Sequence, residues 1–354
     1  MTEDTLEIGV AGLGTYGLLR AEILTEFGHT VYGSDASPDA RKEFERRVGT
    51  GVFERPAELF ERDLDGVLVT TPNKFHEPVA TAAMERGFDV FVEKPLAHTL
   101  ESAERIAEIA RETDCLCMVG FQNRFLNVCK VLKWYIDEGY LGEIRHVQAA
   151  YIRRRGVPGR GSWYTSSEIA GGGAVIDIGI HLIDLLDHFL DAPVIDDVAA
   201  TTRQDFGHRE SYAYLDMWGE DADANMFDVE DSASGFLTYE DGTTATLEVA
   251  WAANAESVHR YQLYGTEGGA VLDITDRLNG MAEVDQSLRF YGANTGGMDH
   301  YLDASVTVNS NDPYREQLRA FTTAITEDAP PSMNTTEQAL AVQHIVDCIY
   351  AESE

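Results

Sequence analysis

The chain is poor in lysine. Only Lys42, Lys74, Lys94, Lys130 and Lys133 occur among its 27 basic residues, which leaves 22 arginines. It is poor in positive charge altogether, since 61 acidic residues give a formal net charge of −34. A field of that sign repels nucleic acid and anionic membrane, so neither is an expected partner. Four cysteines, Cys115, Cys117, Cys129 and Cys348, with no CxxC among them, are too few for a disulfide framework in 354 residues. They read as free thiols in a reducing cytoplasm. No apolar run approaches the ~20 residues of a membrane span. The N-terminus, Met1-Thr2-Glu3-Asp4, is acidic where an export signal is basic. The expected location is the cytoplasm.

Acid in excess with so little lysine suggests the surface of an extreme halophile. At molar salt the Debye length falls to ~3 Å, which screens the self-repulsion. Clusters such as Asp221-Ala222-Asp223 and Glu352-Ser353-Glu354 then read as solvated surface rather than metal ligands. The acidic segment Asp216–Asp231 reads as a loop at the mouth of a site or as more of that surface.

What is present suffices for a core. The chain is 44% hydrophobic and 25% charged. At ~100–200 residues per domain its length predicts two domains. Over the first 120 or so residues, apolar strands (Leu6–Ala11, Thr30–Ser34, Gly66–Thr70, Phe88–Val92, Cys115–Val119) alternate with helical patterns. Near-continuous apolar strands separated by helices imply a parallel sheet covered on both faces. Ser37-Pro38-Asp39 reads as an N-cap, an N1 proline and an acidic first turn.

Beyond residue 123 the rhythm changes. Helices are expected near Leu126–Glu138 and Val175–Leu190, with a long strand, Ile144–Ile152, between them. Turn signals at Glu240-Asp241-Gly242 and Gly265-Thr266-Glu267-Gly268 mark antiparallel hairpins. Two helices, near Tyr314–Ile325 and Thr336–Ala351, close the chain. The expected fold is an α/β Rossmann domain (1–122) plus an α+β domain with an open, largely antiparallel sheet (123–354). Its last helix, 336–351, is free to pack back on the first domain.

Gly12-Leu13-Gly14-Thr15-Tyr16-Gly17 is a GxGxxG that follows an apolar strand and opens a helix. Its glycines allow a tight turn, backbone approach to a pyrophosphate and close helix–sheet packing, and the helix N-terminus receives the diphosphate charge. Asp35 ends the second strand, 18 residues after Gly17. Its carboxylate would accept hydrogen bonds from ribose hydroxyls and repel a ribose phosphate, which favours NAD. Arg41, nearby in sequence, would serve NADP if the loop folds that way.

Val90-Phe91-Val92-Glu93-Lys94-Pro95 puts a charged pair at the carboxyl end of an apolar strand, the edge where open α/β sheets bind ligands. Lys94 there could steady a developing alkoxide; a structural Glu–Lys pair is the other reading. In Gly171-Gly172-Gly173-Ala174-Val175-Ile176-Asp177-Ile178-Gly179-Ile180-His181, Asp177 and His181 fall at i and i+4 of one helix face. Asp184 and His188 continue the stripe. His181 with an orienting carboxylate suits proton transfer; a core histidine paired to an aspartate is the alternative. A metal site lacks a third ligand at matching spacing, and no HExxH is present.

In order along the chain, GLGTYG (12–17), TPNKFH (71–76), EKP (93–95), GFQNRF (120–125), GGGAVIDIGIH (171–181) and YREQLRAF (314–321) resemble the glucose–fructose oxidoreductase/inositol dehydrogenase/MocA oxidoreductases. The resemblance spans nearly the whole chain. It implies a Rossmann domain and a substrate domain whose open sheet often serves as an oligomer interface, in a homodimer or homotetramer. It implies NAD(P)-dependent oxidation or reduction of a sugar, inositol or related polyol. Residue by residue, it makes Lys94, Asp177 and His181 the catalytic set, expected to meet at one nicotinamide. It places Thr71, Pro72, Asn73, His76 and Glu93 near the cofactor. Arg124, Tyr151, Arg153 and Trp163 are substrate candidates by location only. Three other readings stay open: an NAD-dependent glycosidase, a sugar–sugar oxidoreductase with tightly held cofactor, and a non-enzymatic dinucleotide sensor.

Overall fold

A computed structural model describes residues 5–213, 221, 226–275 and 286–353. The chain forms two compact units, one of Met1–Gln122 with Asp312–Gln343 and the other of Asn123–Asn311 with His344–Glu354.

The first unit holds six strands: β1 (Glu7–Ala11), β2 (Thr30–Ser34), β3 (Val52–Phe53), β4 (Gly66–Val69), β5 (Asp89–Val92) and β6 (Cys117–Val119). All pair in parallel, in the order β3-β2-β1-β4-β5-β6. This is the doubly wound order, whose ligand crevice opens where the chain reverses direction, here between β1 and β4. Val67, Leu68 and Val69 have no exposed surface, as a central parallel strand requires. Between the strands run α1 (Thr15–Glu26), α2 (Pro38–Arg47), α3 (Pro56–Leu59), α4 (His76–Met84) and α5 (Leu100–Thr113). At α2 the Ser37 hydroxyl accepts from the Ala40 N–H at 3.3 Å, with Pro38 and Asp39 behind it as the sequence predicts.

Residues 312–343 pack in this unit, whereas the sequence reading assigned 123–354 to the second domain and left only the last helix, 336–351, free to pack back. The reason is apolar burial. Phe321, fully buried, meets Phe91 of β5 edge-on at 5.7 Å between ring centroids. Asn334, also fully buried, donates its side-chain amide to the Val119 and Phe121 carbonyls at 3.0 and 2.9 Å. A β-bridge between Met118 and Thr335 extends the sheet edge.

The second unit opens with α6 (Asn127–Asp137) and β7 (Ile144–Ile152), followed by α7 (Ser167–Ala170), a π-helical turn at Val175–Gly179 and α8 (Ile180–Leu190). Seven more strands follow: β8 (Ile195–Arg203), β9 (Ser232–Tyr239), β10 (Thr244–Ala250), β11 (Val258–Gly265), β12 (Gly269–Asp273), β13 (Ser287–Asn294) and β14 (His300–Val306). Their order is β14-β13-β12-β11-β7-β10-β9-β8, antiparallel except for the parallel pair β7–β10. The π turn packs on β10, α8 on β7, and α6 on β12 and β13. One sheet face is thereby covered. The alternate residues of the strands leave Phe236, Tyr264 and Tyr291 exposed by 43%, 39% and 40% on the other. Ser167–Leu190 is apolar enough on average to resemble a membrane span, but most of it is buried within the protein. The last two helices are α9 (Pro313–Glu327) and α10 (Thr336–Ala351), and α10 divides between the two units.

Candidate functional site

In the first unit the loop after β1 is built for close approach. Gly12 has φ +97°, and a Cβ there would lie 2.6 Å from the Thr70 backbone. A Cβ on Gly17 would fall 1.9 Å from the Gly12 carbonyl oxygen. Only glycine fits these two positions, so the loops after β1 and β4 touch and helix α1 seats against the turn. At Gly14, by contrast, nothing lies within 4 Å of an added Cβ. Gly14 and Thr15 are exposed and Tyr16 is half-buried. Gly14 caps α1 without a side-chain hydrogen bond, and its first turn holds no acid. The helix N-terminus is thus open to an anion.

Asp35 sits at the end of β2 with both oxygens oriented by backbone. Oδ2 accepts the Leu13 N–H and Oδ1 the Ser37 N–H, each at 2.7 Å. The carboxylate is fixed beside the glycine loop with lone pairs left for hydroxyl donors. Arg41 donates through Nη1 to the Asp35 and Ala36 carbonyls at 2.7 and 3.0 Å, which holds a guanidinium at the same corner. An open helix end, a glycine turn with no Cβ in the way and a carboxylate at the second strand fit a nicotinamide dinucleotide.

Thr71 and Pro72 lie in the loop after β4, and Asn73, buried, opens a short 3-10 turn. His76 is almost fully buried and spans two backbone carbonyls, Nδ1 to Pro95 at 2.9 Å and Nε2 to Thr71 at 2.8 Å. Burial lowers its pKa. His76 therefore straps the loop after β4 to the loop after β5, a structural task at a position expected near cofactor. Glu93 and Lys94 follow β5. Glu93 Oε2 accepts the Lys94 backbone N–H at 3.2 Å, and Oε1 is paired with the fully buried Arg20. Arg20 also donates to Gln317 at 3.1 Å and lies 4.5 Å over the Phe91 ring. The Arg20–Glu93 pair thus steadies the segment that carries Lys94.

In the second unit the triple glycine is explained by packing. Gly171 takes φ +86° at the end of α7. A Cβ on Gly172 would strike the Tyr350 hydroxyl at 2.0 Å, and one on Gly173 the Glu230 carbonyl at 1.9 Å. Glu230 accepts the Gly173 and Val175 N–H groups at 2.9 Å each and the Tyr350 hydroxyl at 3.0 Å. A carboxylate at that helix start complements its unpaired donors. Asp231 accepts the Phe206 and Gly207 N–H groups at 2.6 and 2.9 Å. Asp228 takes the Ser167 N–H and hydroxyl at 2.7 and 2.9 Å, and Asp221 pairs with Arg160 at 2.6 Å. The described acids of 216–231 are therefore structural partners, where the sequence reading left a loop or solvated surface. Positions 214–220 and 222–225 lie outside the described residues.

Asp177 falls in the π turn and His181, buried, in the first turn of α8. The expected continuous α-helix is thus interrupted at the aspartate; π turns often mark functional sites. Trp251, fully buried just after β10, donates its indole N–H to Asp177 Oδ2 at 2.9 Å. The Tyr261 hydroxyl donates to the His181 carbonyl at 3.3 Å and lies 3.2 Å from His259 Nε2. His259 stacks on Tyr151 at 4.0 Å, and Arg153 donates to the Tyr151 hydroxyl at 2.7 Å. The register of β7 and β11 pairs Tyr151 with His259 directly. Two sequence candidates, Tyr151 and Arg153, are thereby linked to the His181 helix through two residues that no motif flagged.

Arg124 is not available to substrate: it is 2% exposed and grips the fully buried Asp184 at 2.9 and 2.7 Å. On the polar stripe of α8, Asp184 ends in that ion pair. Burial first, then the charges of Arg124 and Lys133, push the His188 imidazole down to about 3, so it is neutral. Asp187, unremarked in the sequence, is buried, and burial with the Asp184 charge pushes its carboxyl up to about 7. Trp163 stacks on Tyr164 at 3.6 Å in a 3-10 turn. All four cysteines are free thiols. Among the described residues no group of three His, Cys, Asp or Glu is placed to hold a metal.

Residues 6–121 match the model of the oxidoreductase family with NAD-binding Rossmann fold, and residues 130–271 match the GFO/IDH/MocA C-terminal domain. The chain belongs to the Gfo/Idh/MocA oxidoreductases. It is 35% identical, over 77% of its length and 76% of the relative's, to a candidate UDP-kanosamine synthase oxidoreductase subunit of Amycolatopsis mediterranei. It is 29% identical to D-glucoside 3-dehydrogenase of Escherichia coli, over 82% of this chain and 77% of the other. Levoglucosan dehydrogenase, solved with NADH and levoglucosan, superposes with a TM-score of 0.80 at 20% identity, covering 99% of this chain and 97% of that one. The Gfo/Idh/MocA chain described here is an NAD(P)-dependent oxidoreductase, and its first unit is the NAD-binding Rossmann domain.

Proposed function

We propose that this oxidoreductase interconverts a secondary alcohol and a ketone, or a lactol and a lactone, on a sugar, inositol or related polyol. The observation that carries the reading is the Asp177 carboxylate, held by the Trp251 indole at 2.9 Å on the helical segment that presents His181. A positioned carboxylate near a histidine is what proton transfer to and from a hydroxyl needs. The names of the relatives, glucoside and inositol dehydrogenases among them, support the substrate class.

When bound, the nicotinamide supplies a hydride acceptor or donor. Gly12, Gly14, Thr15, Tyr16 and Gly17 would hold its pyrophosphate and Asp35 its adenosine ribose. The chain's own residues handle the charge and the proton. His181 removes the hydroxyl proton in oxidation and returns it in reduction. Asp177 orients the imidazole and favours its protonated form. Lys94 stabilises the oxygen as it gains negative charge. Asp35 makes NAD the preferred cofactor. The acid excess suits molar salt, and the cytoplasm is the fitting compartment. The uncovered sheet face, with Phe236, Tyr264 and Tyr291 on it, serves a homodimer or homotetramer.

The test is NADH formation against a panel of aldoses, inositols and polyols in molar KCl. Turnover of at least one class supports the reading. Release of an aglycone with no net NADH, or no turnover of any member, would overturn it.

A further inference from the structure

The four backbone N–H groups just ahead of Asp177 all donate away from their own helix. Gly173 and Val175 donate to the two oxygens of the Glu230 carboxylate at 2.9 Å each. Ala174 donates to the Glu230 carbonyl at 3.1 Å, and Ile176 to the Tyr350 hydroxyl at 3.3 Å. Tyr350 in turn donates to Glu230 Oε1 at 3.0 Å. Burial, then the Glu230 charge, pushes its phenol well above the ordinary tyrosine range, so it keeps the proton that it donates. The Asp177 N–H turns back into the segment, to the Gly173 carbonyl at 3.0 Å.

A helix start leaves four N–H groups without partners, and a capping side chain ordinarily satisfies one or two of them. Here two side chains from distant parts of the chain take three, and a backbone carbonyl takes the fourth. Gly172 and Gly173 belong to the same device, since a Cβ on the first would strike Tyr350 and a Cβ on the second Glu230. The turn held in this way is the π turn with Asp177 in it, a rare geometry that neighbouring structure has to impose. The Asp177 side chain hangs on the same place. Its partner Trp251 donates its own backbone N–H to the Asp231 carbonyl at 2.9 Å, next to Glu230. Backbone and carboxylate of Asp177 are thus referred to two adjacent residues.

We propose that Glu230 and Tyr350 are positioning residues for the reaction: together they fix the turn that carries Asp177, and so set the carboxylate that orients His181. This rests on the sugar and polyol reading above and on Asp177 as its orienting group.

Tyr350→Phe keeps the ring and removes the acceptor for Ile176 and one donor to Glu230. Glu230→Gln keeps the shape and turns an amide NH2 toward a backbone N–H. In each, kcat for the best sugar or polyol should fall at least about tenfold, the loss of a hydrogen bond to a charged group. KM and the dissociation constant of NAD should stay within about twofold, as for a group that acts in the transition state alone. Tyr350→Phe/Asp177→Asn should turn over within about twofold of Asp177→Asn, because groups that act through one another are not additive. A purely structural role would lower the melting temperature and leave kcat of the folded enzyme alone. Because Tyr350→Phe loses one hydroxyl only, it decides the matter even where Glu230→Gln fails to fold. Amide hydrogen exchange over residues 171–183, read by mass spectrometry, needs no substrate. It should be faster in Tyr350→Phe than in wild type, with β7 and β10 unchanged. Were no sugar or polyol turned over, faster exchange would still support the hold on the turn, and only the substrate reading would fall. Wild-type kcat in Tyr350→Phe, an additive loss in the double variant, or unchanged exchange would overturn the positioning role.

Discussion

The indole of Trp251 donates to the carboxylate of Asp177 across 2.9 Å, from the end of a buried strand to a π turn. That bond fixes the side chain that is to orient His181. Trp251→Phe keeps an aromatic ring, leaves a small cavity and removes the donor. Its turnover should fall about tenfold, the worth of one hydrogen bond to a charged group, while the melting transition stays cooperative. Asp177→Asn keeps an acceptor for the indole and removes the charge. A larger loss in Asp177→Asn than in Trp251→Phe, read by steady-state kinetics, would assign the effect to charge rather than to shape. Equal activity of both variants and wild type would free Asp177 from the mechanism.

Cofactor choice turns on one corner of the first unit. Asp35→Ala should weaken NAD more than NADP, because the carboxylate that suits ribose hydroxyls repels a phosphate. Arg41→Ala should weaken NADP more than NAD. Dissociation constants by fluorescence titration decide this; a cofactor ratio unchanged in Asp35→Ala would count against the ribose assignment.

The buried Asp187 makes a pH signature. Its carboxyl is pushed up to about 7, above its value in the unfolded chain, so the folded state holds the proton more tightly. Its contribution to stability is full in acid, below about pH 4, and is lost as pH rises toward 7. Asp187→Asn should flatten that slope and stabilise the protein at pH 8 by on the order of 1–3 kcal/mol. Denaturant midpoints at several pH values test it, and a variant that loses stability equally at every pH would contradict the assignment.

Arg124 offers a contrast between scaffold and site. Removal of one partner from a buried pair leaves an uncompensated charge, so Arg124→Ala should lose about 3–5 kcal/mol of stability. Arg124→Lys should lose part of that, with KM for substrate unchanged in the folded fraction. A KM raised tenfold at unaltered stability would return Arg124 to the substrate list.

The parallel sheet was readable because its strands are continuous apolar runs, and the glycine loop and Lys94 sit at their carboxyl ends. β3 and α3 escaped, since two and four residues carry no period. β8, β13 and β14 escaped because they are largely exposed and show little of the polar–apolar alternation of a half-buried strand. Lys94, Asp177 and His181 stand in motifs. Trp251, His259 and Tyr261 do not, since only the pairing of distant strands brings them to Asp177, Tyr151 and the His181 carbonyl. Glu230 and Arg124 were misread because charge in a sequence does not show whether its partner lies in water or in the core.

Single-turnover formation of NADH by His181→Ala and Lys94→Ala, each saturated with NAD and the best substrate, bears most directly on the catalytic assignment. Each variant should bind NAD as the wild type does and transfer hydride at least about a hundredfold more slowly, the span of lost acid–base or electrostatic help. Wild-type rates in either variant would remove that residue from the chemistry and leave the proton or the alkoxide without its proposed partner.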